Sequence, residues 1–188
     1  AAMRRLPEGY REIKRIDLMK NRREAIMVNA LAFAIAIGMG VLGFALCPPF
    51  SGSLGIHTIL NTLLFLVSVL LYTVLHELIH GVFMKSFSGV KPRYGFTGLY
   101  AYASSEALFG RRQYLIIAFA PVVILGAILA ALNISFYETY FWFFYIIQIV
   151  NISGAAGDIY VGYQIGRLHS GILILDTGTG MTLYSNRY

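Results

Sequence analysis

Four apolar runs, each long enough to cross about 30 Å of hydrocarbon, dominate a chain of 188 residues. They extend from about Ile26 to Cys47, Ile56 to Phe83, Tyr114 to Leu132 and Tyr140 to Ala156, the last continuing towards Tyr163. Backbone inside a bilayer has no water to bond, so each run predicts a helix that satisfies its own N–H and C=O groups. A soluble fold of this length has too little interior to hide four such helices. Composition agrees: 57% of residues are hydrophobic and 13% charged, about half the charged share of an ordinary soluble domain. The expected fold class is mainly α, multi-pass transmembrane, with four transmembrane helices.

The basic residues orient these helices. Eight Lys and Arg precede the first run, five lie between the second and third (Lys85, Lys91, Arg93, Arg111, Arg112), and Arg167 and Arg187 follow the fourth. The remaining loops, Pro48 to Gly55 and Asn133 to Thr139, carry none. The positive-inside rule then places both termini and all fifteen charges in the cytoplasm, in a cell membrane. A net charge of +6 strung between apolar runs describes topology and membrane lipid as a partner, not a nucleic-acid surface.

Between the second and third runs, Gly89, Gly95 and Gly98 punctuate β-prone stretches at Val90 to Phe96 and Leu99 to Ala103, which predicts a cytoplasmic β-hairpin. Ile172 to Leu175, a turn at Asp176-Thr177-Gly178-Thr179-Gly180, and Met181 to Ser185 predict a second, short hairpin in the tail. Ala1-Ala2 read as an extension before a natural Met3, and the basic leader that follows lacks the pattern of a cleavable signal. Within it Ile13, Ile16 and Met19 recur at near-helical spacing, fitting either an amphipathic helix on the inner leaflet or a solvated leader that only sets topology. The chain reads as a single domain, 1–188, with a leader (1–25), a transmembrane core (26–163) and a cytoplasmic tail (164–188).

The second run ends in His76-Glu77-Leu78-Ile79-His80. Imidazoles four residues apart share one helix face at about 5–6 Å, close enough to bind one tetrahedral Zn2+. Glu77 then serves as the catalytic base that takes a proton from water. Ionisable groups in a span cost on the order of 2 kcal/mol or more when unpartnered, so they call for a compensating partner. Cys47 is the single cysteine, so any metal must be held by His and carboxylate.

A hydrolytic zinc takes a third protein ligand and leaves a fourth position to water. The candidates are Asp158, Glu106, His169, Asp176, His57 and Glu138. His57 and Glu138 sit at the outer helix ends, roughly 28 Å away at 1.5 Å per residue. His76 is nineteen residues past His57 and Asp158 nineteen past Thr139, so in straight helices of similar tilt the two share one depth, which favours Asp158. Asn151, seven residues before Asp158, lies on the same face and fits either a donor to a substrate carbonyl, an orienting group or an interhelical hydrogen bond, and Gln148 likewise. Asp176-Thr177-Gly178 resembles an aspartic-protease triplet, but such sites need two copies, so it reads as a turn. The Asn133-Ile134-Ser135 and Asn151-Ile152-Ser153 glycosylation patterns lie at or inside the membrane. Pro121 reads as a kink in the third span.

With His76-Glu77-Leu78-Ile79-His80 and Asn151-Ile152-Ser153-Gly154-Ala155-Ala156-Gly157-Asp158, the chain resembles a class of small membrane zincin peptidases of unknown function, themselves similar to the site-2 intramembrane metalloproteases. The likeness runs from about Leu6 through the fourth span. It implies zinc ligation by His76, His80 and Asp158, Glu77 as catalytic base, an active site facing the cytoplasm, and a membrane-protein or peptide substrate. Asp158 stands between Gly157 and Ile159, where the site-2 proteases have Leu-Asp-Gly, and no proline separates it from Asn151. The expected function is zinc-dependent hydrolysis of peptide bonds in or beside the membrane. The rivals are a membrane scaffold with a structural metal site, closed by a fourth ligand such as His169 or Glu106, and a small permease.

Overall fold

The computed structural model describes residues 3, 5–47, 56–98 and 101–187, with side chains in the second helix from residue 59. The helices are α1 (Arg22–Leu46), α2 (Ile56–Ser88), α3 (Arg111–Ser135), α4 (Tyr137–Gly154) and α5 (Ala156–Gly166). The strands are β1 (Arg11–Asp17), β2 (Arg93–Phe96), β3 (Ala101–Ser104), β4 (Leu108–Gly110), β5 (Leu173–Asp176) and β6 (Gly180–Ser185). Among the described residues, four helical segments are long and apolar enough to span a membrane, with α4 and α5 together forming the fourth. Phe33, Val41, Leu70 and Val82 are more than half exposed, an arrangement that lipid tolerates and water does not.

Local signals set the helix starts. Asn21 caps α1, its Oδ1 accepting the Arg23 and Glu24 N–H groups at 3.1 and 3.4 Å. Gln113 reaches back from the first turn of α3 to accept the Gly110 N–H at 3.0 Å. The fourth span is not the single straight helix that equal residue counts presuppose. It is non-helical at Tyr140 (φ −125°) and breaks at Ala155, after which α5 packs on α3. The close approach needs Gly162, since a Cβ there would sit 2.5 Å from the Phe119 ring.

The hairpin between the second and third spans is present as β2–β3, pairing Arg93 with Ser104 and Phe96 with Ala101. Residues 99 and 100, assigned to its second strand from sequence, lie outside the described residues, and Val90 is buried ahead of the first strand. The tail hairpin is present as β5–β6 but does not stand alone: it is the centre of a four-stranded antiparallel sheet ordered β1-β6-β5-β4. The leader is therefore neither an amphipathic helix nor a solvated arm over residues 11–17; it is the edge strand β1, paired along β6 from Arg11↔Ser185 to Asp17↔Gly180 with a bulge between Glu12 and Lys14.

A short isolated helix is marginal in water, whereas β6 offers a full row of backbone partners. Ile16 then turns into the core while Ile13 stays 43% exposed. The sheet seals a core of Ile16, Met84, Phe109, Ile117, Ile165 and Leu183 across the bundle end where α2 finishes and α3 begins. Because β1 pairs with β6, both terminal segments lie at that end. Ile16→Ala should destabilise the fold by about 2–5 kcal/mol and Ile13→Ala by much less, read as thermal midpoints in detergent micelles; equal effects would contradict the burial of Ile16.

Candidate metal centre

His76 and His80 lie one turn apart on α2, both buried, with ring centroids 4.9 Å apart. Asp158 enters from the first turn of α5. Its Oδ2 is 3.3 Å from His76 Nε2 and its Oδ1 3.6 Å from His80 Nε2. One donor atom from each residue falls in a group spanning no more than 4.8 Å. Donors held about 2.0–2.1 Å from one tetrahedral ion lie roughly 3.4 Å from each other, so two imidazole nitrogens and a carboxylate at these separations fit zinc and leave one position open. Asp158 reaches the pair from just past the irregularity at Ala155, on a span that packs along α3 both before and after it.

The far side of each ring is anchored, which directs Nε2 to the shared point. His76 Nδ1 is 3.0 Å from the Tyr72 hydroxyl, which in turn donates to the Asn151 carbonyl at 3.5 Å. His80 Nδ1 donates to the Ile117 carbonyl at 2.8 Å. That carbonyl is available because residue 121, its helical partner four positions on, is Pro121 and has no N–H. The proline read as a kink thus frees the acceptor that orients one imidazole of this group. The signal was in the sequence as a proline inside an apolar run, but which carbonyl it freed, and for whom, depended on the α2–α3 packing.

Glu77 shares a cavity of about 340 Å³ with these residues and is turned to the backbone of Ala103 on β3. The cavity has helical walls from α2, α3, α4 and α5 and a roof of strand and turn: Ile16 and Leu18, Tyr102 and Ala103, and Asp176 with Gly178 to Met181. Gly178, at φ +87°, allows the tail turn to lie flat on the Tyr102 ring, where a Cβ would come within 2.1 Å. Asn151 does not line the cavity. It is wholly buried, its Nδ2 donating to Val122 O at 3.1 Å and Gln148 Oε1 at 3.4 Å, so its side chain ties α4 to α3 and its backbone carbonyl meets Tyr72.

The other ligand candidates lie apart from the group. Glu106 pairs with Arg93 at 2.6 Å, His169 Nε2 meets Ser185 Oγ at 2.8 Å, Glu138 is exposed in the first turn of α4, and the His57 side chain is outside the described residues. Asp176 lines the cavity but bonds Tyr114 and the Gly178 N–H. Burial raises its carboxyl above the ordinary range, with the Tyr114 and Gly178 bonds acting against the rise. Burial, then the charge of Glu77, likewise raises the Tyr94 phenol on β2. In the sequence Asp176 reads both as a turn residue and as one of the candidate third ligands, and Tyr114 carries no signal beyond its place at the head of a span.

Asp158→Ala should abolish stoichiometric zinc binding, measured by metal analysis and chelator competition on the purified protein. Pro121→Ala, which returns an N–H to Ile117 O, should weaken zinc by about 10-fold with the fold intact, as outer-shell changes commonly do; unchanged affinity would dissociate the proline from the site.

Residues 69–173 match the model of a protein family whose description is "Putative zincin peptidase". No curated protein and no solved structure matches the chain. The matched segment covers more than half of the 188 residues and carries both α2 imidazoles, Asp158 and the cavity's helical walls, and the chain belongs to this zincin-peptidase family.

Proposed function

We propose that the protein is a zinc-dependent, site-2-type peptidase that spans a cell membrane four times with both termini in the cytoplasm, and that it hydrolyses peptide bonds of membrane proteins or peptides near the inner membrane surface. The observation that carries this reading is Glu77, a carboxylate outside the metal group, held in the same cavity as the His76, His80 and Asp158 donors. Zinc bound there supplies a Lewis acid and makes water acidic enough to lose a proton near neutral pH. Glu77 accepts that proton as the water attacks the scissile carbonyl, and returns it to the departing amine. His76 and His80 keep their Nε2 atoms free for the metal because Tyr72 and Ile117 O hold their Nδ1 atoms.

A helical substrate must unwind before its carbonyl can be attacked. β3 lines the cavity and pairs with β2 along one edge, and an extended segment added along its other edge would lie beside Glu77, which engages the Ala103 backbone there. The basic end of the bundle, where leader, interhelical loop and tail meet, suits the cytoplasmic face. The scaffold reading needs a fourth protein ligand, and the engagement of Glu106 with Arg93 and of His169 with Ser185 weighs against it.

The test is incubation of the zinc-loaded protein in detergent with a mixed peptide pool, reading new termini by mass spectrometry. Glu77→Gln should lower cleavage by about 10²–10⁴-fold while zinc content stays at wild-type level. Cleavage at the original rate would remove Glu77 from the mechanism.

A further inference from the structure

The cavity that holds Glu77 and the metal group has a second polar wall that the steps above leave unused. Tyr114, in the first turn of α3, and Asp176, the last residue of β5, both line it and are both buried. The Tyr114 hydroxyl is hydrogen-bonded to Asp176 Oδ2, and Asp176 Oδ1 accepts the Gly178 N–H at 2.7 Å. The Oδ1 contact is ordinary turn chemistry that Asn or Ser also performs. The bond to a tyrosine from another element is not required by the turn, and it draws a third acid into a cavity that already holds Glu77 and Asp158.

Attack on a peptide carbonyl turns its oxygen into an oxyanion, and a donor aimed at that oxygen is worth most in a site that excludes water. Asn151, the donor suggested by sequence, faces α3 instead. Of the hydroxyls on the cavity's helical walls, Tyr72 donates to Asn151 O and Thr73 to Val69 O. Tyr114 is the one whose partner is itself an acid.

We propose that the Tyr114 hydroxyl donates a hydrogen bond to the substrate's carbonyl oxygen as it becomes an oxyanion, and that Asp176, bonded to that hydroxyl, positions Tyr114 for this task. The proposal rests on the peptidase reading. With a proton on Asp176 Oδ2, the bond between the two side chains reverses: the acid O–H donates to the phenol oxygen, and the phenol O–H is released to turn into the cavity. Neither Tyr114 nor Asp176 gains or loses a proton during the reaction; the donated bond strengthens as charge builds on the substrate oxygen. Burial favours the neutral acid. The groups facing it are Tyr114 from α3, the Gly178 N–H of its own turn and His80 from α2, which favour the charged form, and Asp158 from α5, which opposes it. Asp176 lies beyond the residues that match the family model, so the family match does not assign this role.

The test uses the full chain, zinc-loaded in detergent micelles, and two probes: a phosphinic dipeptide isostere, which is tetrahedral, and acetohydroxamate, a planar zinc chelator. Tyr114→Phe should weaken phosphinate binding by about 100-fold and hydroxamate by less than about threefold, with zinc stoichiometry unchanged. Asp176→Ala should match it. Asp176→Asn, whose amide donates to the phenol at every pH, should recover most of the loss and remove the fall in phosphinate affinity that wild type shows as rising pH ionises Asp176. Phosphinate binding by Tyr114→Phe within about threefold of wild type, equal loss of both probes, or Asp176→Asn behaving as Asp176→Ala would each overturn the assignment. A wild type that binds phosphinate through Tyr114 yet cleaves no peptide would instead overturn the peptidase reading.

Discussion

Two imidazoles and a carboxylate placed within apolar helices cannot be left facing hydrocarbon, and much of the structure follows from the way they meet. His76 and His80 fix one helix face; Asp158 must be delivered to it from eighty residues further along the chain. The packing of α4 and α5 along α3 makes that delivery, with Asp158 in the first turn of α5. The same packing brings the Ile117 carbonyl, freed by Pro121, to the back of His80, and the Asn151 carbonyl to Tyr72 behind His76. Residues that look like defects in a membrane span, a proline and a run of glycine and alanine, are therefore part of how the polar group is held.

The second organising feature is the sheet that closes the bundle end. β1 from the leader and β5–β6 from the tail bring the two ends of the chain together over the cavity. Apolar burial drives this closure, since Ile16, Ile174 and Leu183 have no exposed surface. One consequence is a site with helical walls and a roof of strand and turn, whose polar groups come from both. Asp176 belongs to the roof, yet its partner Tyr114 belongs to a helix, so the tail contributes a polar group to the cavity wall.

Much of this was legible in the residues. Four apolar runs announce four spans, because hydrocarbon leaves the backbone no alternative to a helix. The four-residue spacing that sets His76 and His80 on consecutive turns, with Glu77 beside His76, announces a metal, since helix geometry alone puts the two imidazoles on one face. Both hairpins were visible in their glycines. The β1 strand was not: Ile13, Ile16 and Met19 fit a helix period as well as they fit anything, and only the unpaired edge of β6 decides for a strand.

What the sequence determined by itself, then, was whatever depends on neighbours along the chain: helix content, the imidazole pair with the adjacent Glu77 carboxylate, and the carboxylates available to join them. Which carboxylate joined, what anchored each ring, that Asn151 turned from the site and that Asp176 turned towards it were decided by tertiary structure. These are contacts between elements tens of residues apart, whose angles and breaks depend on the packing of the whole bundle, and no local spacing encodes them.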